Sequence, residues 1–527
     1  MDIGLVGAIF LSIFMAALIT ENYGYGYWMI SRPVFSGPLL GLIMGDIQTG
    51  LIVGASVELM FLGVLPIGGS VPPNAQIAGL IGTFFAITAG GKPEIGISLA
   101  LPIGILAQFL IMLAWNINIY LTHKADKSLQ QFNFKKAERI HLSGILVFFI
   151  TFLTPIFLAV YFGSDFVNQI VDAMPAWFMD GLKIASGILP AVGMAMLLKM
   201  MDFKRYWAFF LVGFVLAVYL NLNILSIALL GIGITAGLLA LSKNNEDLAK
   251  TNLQEDNLKE ESILNQKDLF KAFVRSFFTM STINYERYMN LGFCYAMMPA
   301  LKKLYPKKED LSEAVVRHNE FFNCHPYASN AIIGVSLALE EERSRGKGIT
   351  GETISSTKAA LMGPLSGIGD SVFKATFMTI FAAIGAGLAL DGNPIGPIIF
   401  IVPNLLLNIF TRYYGVTYGY KFGINLVQKM NQTNIIDKFV QGATIVGLMV
   451  VGAMIVSFVK VEFTAQWTFG GKEIILQDLL NSILPGLMPL LVTLGFYWAL
   501  RKYKKAIYWL ILLCFVIGLL GKLLGVL

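Results

Sequence analysis

Two carboxyls, Asp46 and Glu58, lie inside the apolar, glycine-rich stretch GPLLGLIMGDIQTGLIVGASVELMFLGVLPIGGSVPPNAQIAG at residues 37–79. A carboxylate at membrane depth costs about 2.5–3.5 kcal/mol on insertion scales, so Glu58 is expected to face protein or a polar cavity. Asn74 and Gln76 follow Pro72-Pro73, and Gln108 interrupts a later apolar run. Each of these amides offers one acceptor and a pair of donor hydrogens, which suits hydroxyls that both give and accept. With Glu58 as a charged acceptor they make a candidate binding set for a polyhydroxylated solute such as a sugar. The alternative is that the glycines serve close helix packing and that Glu58 is a satisfied interhelical hydrogen bond. Further on, Asn284, Glu286 and Arg287 stand together in STINYERYMNLG. They either complete a hydroxyl-binding site, or Glu286 and Arg287 are a structural pair that fixes a helix against its neighbours.

No constellation points to catalysis. The four histidines are His123, His141, His318 and His325. His318, Glu320 and His325 in RHNEFFNCHP match neither HExxH nor a zinc-finger spacing, and are read as a solvated helical face. GPLSGIGDS at 363–371 lacks the GK[ST] ending of a phosphate-binding loop. Its glycines are expected to allow a tight membrane turn, with Asp370 capping the next helix. Cys294, Cys324 and Cys514 are scattered, neither a disulfide framework nor a metal pair. No cofactor, no metal and no catalytic residue of its own is expected.

The elements that must position these side chains are membrane helices. The chain of 527 residues is 56% hydrophobic and 14% charged, with mean hydropathy +0.68. A soluble core cannot hide that much apolar surface, so the expectation is an all-α polytopic membrane protein in contact with membrane lipid. The net charge of +6 lies in short loops, which speaks for topology rather than nucleic acid. Apolar segments run at about 3–20, 34–67, 76–89, 95–121, 142–163, 182–198 and 206–241 in the first half. The run 34–67 is too long for one crossing and carries glycine breaks, and Pro66 with Pro72 and Pro73 ends it. Broken helices with a few polar side chains are a usual construction of a transporter site. Lys/Arg-rich loops around 124–139 and 199–205 are expected inside, and the acidic loop 164–181 outside. Asn221 and Asn223 are expected to mark a turn within 206–241.

Residues 243–268, KNNEDLAKTNLQEDNLKEESILNQKD, have linker composition, with a solvated helix as the alternative. They divide a permease-like domain, 1–242, from a second domain, 269–527. The latter comprises an amphipathic helical region, 269–375, and transmembrane segments over 376–527, with a turn at Asp391-Gly392-Asn393-Pro394 and an outside loop at 461–481. Gly37-Pro38-Leu39-Leu40-Gly41 with Gly45-Asp46 is echoed by Gly363-Pro364-Leu365-Ser366-Gly367 with Gly369-Asp370, as an internal repeat or by chance.

The stretch 37–79 closely resembles the membrane subunit IIC of mannose/fructose/sorbose-type sugar phosphotransferase systems, as do THKADKS at 122–128 and MPAWFMDGLKIASGILPAVGMAMLLKMM at 174–201. NYERYMNLGFCYAMMPALKKLYP, RHNEFFNCHPY, GVSLALEEERSRG, ALMGPLSGIGDSVF and TRYYGVTYGY resemble subunit IID. The resemblance implies two transmembrane units fused in one chain, with broken or re-entrant helices, in a bacterial cytoplasmic membrane. It implies a hexose or hexosamine moved inward for phosphorylation by separate soluble IIA and IIB units, a homotrimer, and an elevator-like movement. Glu58, Asn74, Gln108 and Asn284 fall in the matching motifs. Two departures bear on the sugar. Gly24-Tyr25-Gly26-Tyr27-Trp28 stands where the mannose and sorbose branches often carry an acidic pair, and Pro73-Asn74 replaces Pro-Asp. The latter, with GILPAVG at 187–193, leans toward the N-acetylgalactosamine-type branch.

Two other classes compete. In an ion-coupled secondary sugar transporter, Glu58 or Asp46 would carry a proton. In a docking protein, a role that the resemblance links to bacteriocins and phage DNA entry, an outside loop such as 461–481 would receive the partner.

Overall fold

The computed structural model describes residues 4–61, 71–163, 190–222, 224–244, 262–430, 435–469, 472–503 and 506–527, with isolated positions between 177 and 188. The expected stop at Pro66, the loop 164–181 apart from isolated positions, and most of the linker lie outside the described residues. In the first half the helices are α1 (Leu5–Gly24), α2 (Pro33–Met44), α3 (Ile47–Met60), α4 (Ala75–Thr88), α5 (Pro93–Gln130), α6 (Phe134–Phe162), α7 (Pro190–Met200), α8 (Phe203–Tyr219) and α9 (Ile224–Asn244). The second half holds α10 (Gln266–Ser276), α11 (Asn290–Leu304), α12 (Lys308–His318), α13 (Ser329–Ser344), α14 (Gly351–Gly369), a π-helical stretch over Asp370–Met378, α15 (Thr379–Leu390), α16 (Ile395–Met430) and α17 (Ile435–Phe458). After a short antiparallel hairpin, Gln466–Phe469 with Lys472–Ile475, come α18 (Leu476–Ile483), α19 (Leu487–Lys502) and α20 (Ala506–Leu523). The all-α membrane expectation holds, the hairpin within 461–481 being the one sheet among the described residues.

Among the described residues four helical spans are long and apolar enough to cross a membrane: Leu5–Gly24, Pro102–Gln130, Phe134–Phe162 and Ile395–Gly423. The pair α18–α19, bent by 78°, adds a fifth if it counts as one span. The described part of the run 34–67, through residue 61, is not a crossing but a helical hairpin. Its arms, 12 and 14 residues long, reach about 18–21 Å, short of a hydrocarbon core about 30 Å thick. The glycines explain why the arms can touch. A Cβ on Gly37 would stand 2.8 Å from the Gly50 carbonyl, and one on Gly54 2.4 Å from that of Pro33. The hairpin turns at Gly45, with φ 83°, and Asp46 caps α3 by accepting from the Thr49 amide at 3.0 Å.

The start of α5 packs on α4 through Gly82 and Gly96 in the same way, and α15 packs on the start of α16 through Gly385 and Gly396. The last of these turns at Asp391–Asn393 as expected, with φ 74° at Gly392 and Asn393 accepting from Ile395 N. The three tips meet: Cβ positions on Gly91 and Gly392 lie 3.1 and 2.8 Å from Asp46 Oδ2 and Gln48 Oε1. Asn221, φ 48°, marks the turn between α8 and α9.

Two local expectations are corrected. Residues 363–371 make no turn, because α14 runs straight into the π-helical stretch. Asp370 therefore caps nothing and pairs with Lys374 one turn on, at 3.1 Å. Its apparent counterpart Asp46 is a true cap, so the two glycine-rich strings take different local structures. Packing of the second half also begins before residue 269: Leu264 is buried, and Asn265 and Asp268 form a capping box on α10.

Candidate solute site at the seam between the halves

The polar residues of α2–α4 converge on the seam. Glu58, fully buried on α3, accepts from Arg32 Nε at 3.0 Å, from Arg32 Nη2, and from the Val34 amide at 3.4 Å. Arg32 immediately precedes α2, so this ion pair ties the start of one hairpin arm to the end of the other. Asn74 caps α4 through Oδ1, which accepts from Ile77 N at 2.7 Å. Its side chain and that of Gln76 line a cavity of about 30 Å³ together with Asn22, Tyr27, Arg32 and Lys374. An adjoining cavity of about 70 Å³ shares Asn22, Tyr23, Tyr27, Pro72 and Lys374 with it, and adds Trp115, Asn323, His325, Ser366 and Asp370. The first half supplies one wall and the second half the other.

Two polar atoms in the lining of the 70 Å³ cavity, one from each half, have no hydrogen-bond partner. His325 is buried, and its Nδ1 accepts from the Tyr327 amide at 3.2 Å. In the neutral ring Nε2 therefore carries the proton, and that nitrogen has no hydrogen-bond partner. Trp115 Nε1, a donor only, is likewise buried and unpartnered. Buried donors left unpaired cost about 1–3 kcal/mol each, and a ligand that accepts from both removes that cost. Tyr27 meets the His325 ring edge-on with centroids 6.4 Å apart, and Lys374 stands 5.9 Å over the Tyr27 ring. Gly369 is what lets α14 pass: a Cβ there would lie 2.3 Å from that of His325.

The loop that brings Tyr27 here is held from both halves. Glu21 accepts from Trp28 N at 2.6 Å and from Ser31 N and Oγ at 3.2 and 2.8 Å. From the second half, Gly26 N donates to the Phe277 carbonyl at 2.7 Å and Ser281 Oγ to that of Gly24 at 2.6 Å.

The remaining expected residues are elsewhere. Gln108 is buried on α5 but lines neither cavity. Asn284 shapes the 284–288 turn: Oδ1 accepts from Glu286 N and Arg287 N at 3.0 and 2.9 Å, and Nδ2 donates to Thr282 O at 2.9 Å. Glu286 bonds His123 Nε2 at 2.7 Å, and Arg287 pairs with Asp126 and Glu286. Both border a separate open cavity of about 680 Å³ beside the Lys/Arg-rich loops, with Gln130, Lys199, Asn319 and Glu352. From the second half it is His325, Asp370 and Lys374 that line the seam cavity.

The histidine region is also corrected. His318 and His325 are buried rather than on a solvated face. His318 Nε2 lies 2.7 Å from Glu340 Oε1, and Arg317 Nε and Nη2 donate to the same carboxylate at 2.9 and 3.1 Å. Burial opposes ionisation of Glu340, but the bonds and charges of His318 and Arg317 outweigh it and push its pKa down to about 2.

Helical hairpins that stop partway, around a polar cavity between two halves, define a membrane transport component. Its kind is named by similarity to known proteins. Residues 5–236 match the profile of the PTS system sorbose-specific IIC component, and residues 263–527 that of the PTS system mannose/fructose/sorbose family IID component. The chain is 41% identical over 277 residues to the mannose-specific EIID component of Escherichia coli K12, covering 51% of this chain and 96% of that protein. It is 35% identical over 224 residues to N-acetylgalactosamine permease IIC component 1 of the same organism, covering 42% of this chain and 84% of that one. A cryo-EM structure of mannose transporter ManYZ with microcin E492 matches at 40% identity and TM-score 0.48, over 51% of this chain and 99% of that chain. The chain belongs to the mannose/fructose/sorbose family of the phosphotransferase system and carries its IIC and IID components, the sugar-translocating membrane subunits, in one polypeptide.

Proposed function

We propose that the seam cavity binds the sugar, a hexose or hexosamine, that this membrane component moves inward for phosphorylation by separate IIA and IIB units. The observation that carries the reading is the unpartnered Nε2–H of His325, buried in a cavity that both halves line. Sugar oxygens accept from His325, Trp115, Arg32 and Lys374, while sugar hydroxyls donate to Asp370 and to the amide oxygens of Asn22 and Gln76. Tyr27 and Trp115 offer flat apolar faces for the C–H side of a pyranose, the usual mix of aromatic wall and few polar groups. Asn74 spends its carbonyl on the helix cap and brings only its amide hydrogens. Glu58 acts through Arg32, whose guanidinium it holds in place, rather than as a proton carrier. Asn284, Glu286 and Arg287 position the second half, and Gln108 is a packing residue.

Trapping the sugar as its phosphate supplies the driving force. The segment between α9 and Ser262 acts as the tether that keeps the IIC-like and IID-like parts together, and three such polypeptides associate. The Pro73-Asn74 sequence and the N-acetylgalactosamine permease relative favour a hexosamine. A bacteriocin-receptor role would use the outside hairpin region of 461–481.

The test is uptake of a labelled panel of hexoses and hexosamines by cells lacking their own permeases, with and without matching IIA and IIB. Accumulation of sugar phosphate only when IIA and IIB are present is expected. Free sugar accumulating without them, and collapsing with the proton gradient, overturns the reading.

A further inference from the structure

Outside the seam, α10 has an unusual outer face. Its inner side, Leu269, Ala272, Phe273 and Ser276, is buried. Outward, Phe270 is 53% and Val274 42% exposed, and Lys267 and Lys271 flank them on the same side at helical spacing. Of the other charges near this helix, Asp268 bonds Lys303 at 2.6 Å and stands a looser 3.8 Å from Lys271, and Arg275 pairs with Glu138 at 3.2 Å. The free face is therefore apolar and positive.

Contacts with α16 fix how deep this face lies. Ser262, just before α10, bonds Tyr420. Phe273 meets Tyr413 edge-on at 5.6 Å, and Phe277 lies 4.8 Å beneath Arg412. Along the exposed stripe of α16, aliphatic Ile398, Val402 and Leu406 give way to Phe410, Tyr414 and Tyr418 toward the end that carries Lys421. That change from aliphatic to aromatic is the signature of a membrane–water boundary. Lys267 and Lys271 lie between Ser262, which bonds Tyr420, and Phe273, which meets Tyr413, hence at this boundary, with Phe270 and Val274 exposed on the same face.

We propose that the outer face of α10 is an interfacial anchor: Phe270 and Val274 enter the cytoplasmic leaflet, and Lys267 and Lys271 bind the phosphates of anionic lipid headgroups. An amphipathic helix with lysines beside an aromatic and aliphatic ridge binds a bilayer by this combination. The anchor sits where α10 leads into Phe277 and Ser281, which grip the loop at the seam, so lipid contact bears on the geometry of the solute cavity.

The test uses the full chain with Phe270→Cys carrying a nitroxide, the three natural cysteines being buried, in phosphatidylcholine vesicles with or without phosphatidylglycerol. Oxygen is expected to quench the label in preference to a nickel chelate, in contrast to a label at Lys308→Cys on exposed α12. Access to nickel equal to that at position 308 overturns the proposal by placing the face in water. Exclusion of both reagents overturns it by placing protein, such as a second copy, over the face. In K267Q/K271Q the preference for co-purifying phosphatidylglycerol over phosphatidylcholine should fall about fivefold per lysine, the equivalent of about 1 kcal/mol each. An unchanged preference overturns the headgroup assignment.

Discussion

Asn408 donates its side-chain amide to the carbonyls of Gly26 and Tyr27, at 3.0 and 3.1 Å, across a sequence separation of about 380 residues. Arg412, buried one turn further on α16, donates Nε to Asn408 Oδ1 at 2.6 Å and Nη1 to the Ser276 carbonyl at 2.7 Å, which orients the amide. Tyr27 and Met29 in the gripped loop have φ of 57° and 66°, conformations that cost of order 1–3 kcal/mol each and persist only when neighbours impose them. The IID-like half thus holds a strained loop of the IIC-like half in the shape that lines the cavity. Asn408→Ala removes the shorter of two bonds from each buried carbonyl, leaving Gly26 O to Arg412 Nη2 at 3.4 Å and Tyr27 O to Tyr327 Oη at 3.3 Å, and each lost bond is worth about 0.5–1.5 kcal/mol. The expected outcome is a rise of about tenfold or more in the sugar concentration for half-maximal uptake, with the chain still inserted at normal abundance. Normal affinity in this variant would show that the loop keeps its shape without the clamp.

Arg32 and Glu58 should behave as one unit. Removing one partner of a buried pair costs about 3–5 kcal/mol, whereas removing both is often tolerated. Glu58→Gln alone is expected to lower thermal stability in detergent sharply, and R32M/E58L to recover most of it while binding no sugar. Because phosphorylation drives uptake in the proposed function, uptake by the native chain should also be unchanged by a protonophore while phosphoenolpyruvate is maintained.

The sequence carried the membrane class, the broken 34–67 run and the turn at Asp391–Asn393, because hydropathy and glycine placement are local signals. Glu58, Asn74 and Gln76 were legible because a polar side chain in an apolar run is conspicuous. His325 was not: it lies in a mixed segment with other polar residues, where only tertiary burial separates a cavity donor from a solvated one. Asp370 looked like a cap because Gly369 precedes it, yet Gly369 is there to clear His325. The bonds of Asn284 to the next residues' amides are visible only in three dimensions. Tyr27 stood out only as part of a departure from the family's acidic pair and Trp115 not at all, since the seam that unites them joins segments far apart in the chain.

His325 permits a sharper test of the cavity. His325→Gln keeps a donor of similar reach, whereas His325→Phe fills the same space without one. Loss of one hydrogen bond to a neutral ligand costs about 0.5–1.5 kcal/mol, so the phenylalanine variant should bind sugar roughly 3–10-fold more weakly. The glutamine variant should fall between it and the native chain. Equilibrium binding to purified protein in detergent reads this without phosphorylation. Equal affinity in all three would remove His325 from the site.

Glu340 makes the region before α14 acid-sensitive in a defined direction. Its pKa is pushed down to about 2 in the fold from an ordinary value near 4.5, so its ionised form binds Arg317 and His318 more favourably than water does. Such a group contributes stability that is fully present above the unfolded pKa and is lost as pH falls toward the folded one. The shift corresponds to roughly 3 kcal/mol. His318 acts in the same direction, because burial lowers its pKa despite the carboxylate of Glu340, and charging it below about pH 6.5 costs stability. Thermal melts of the purified chain from pH 7 to pH 3 should therefore show a midpoint that declines below about pH 6.5 and drops most steeply below about pH 4.5. Glu340→Gln should start with a lower midpoint at pH 7 and flatten the acid limb. An acid limb as steep as in the native chain would place the sensitivity in other carboxylates.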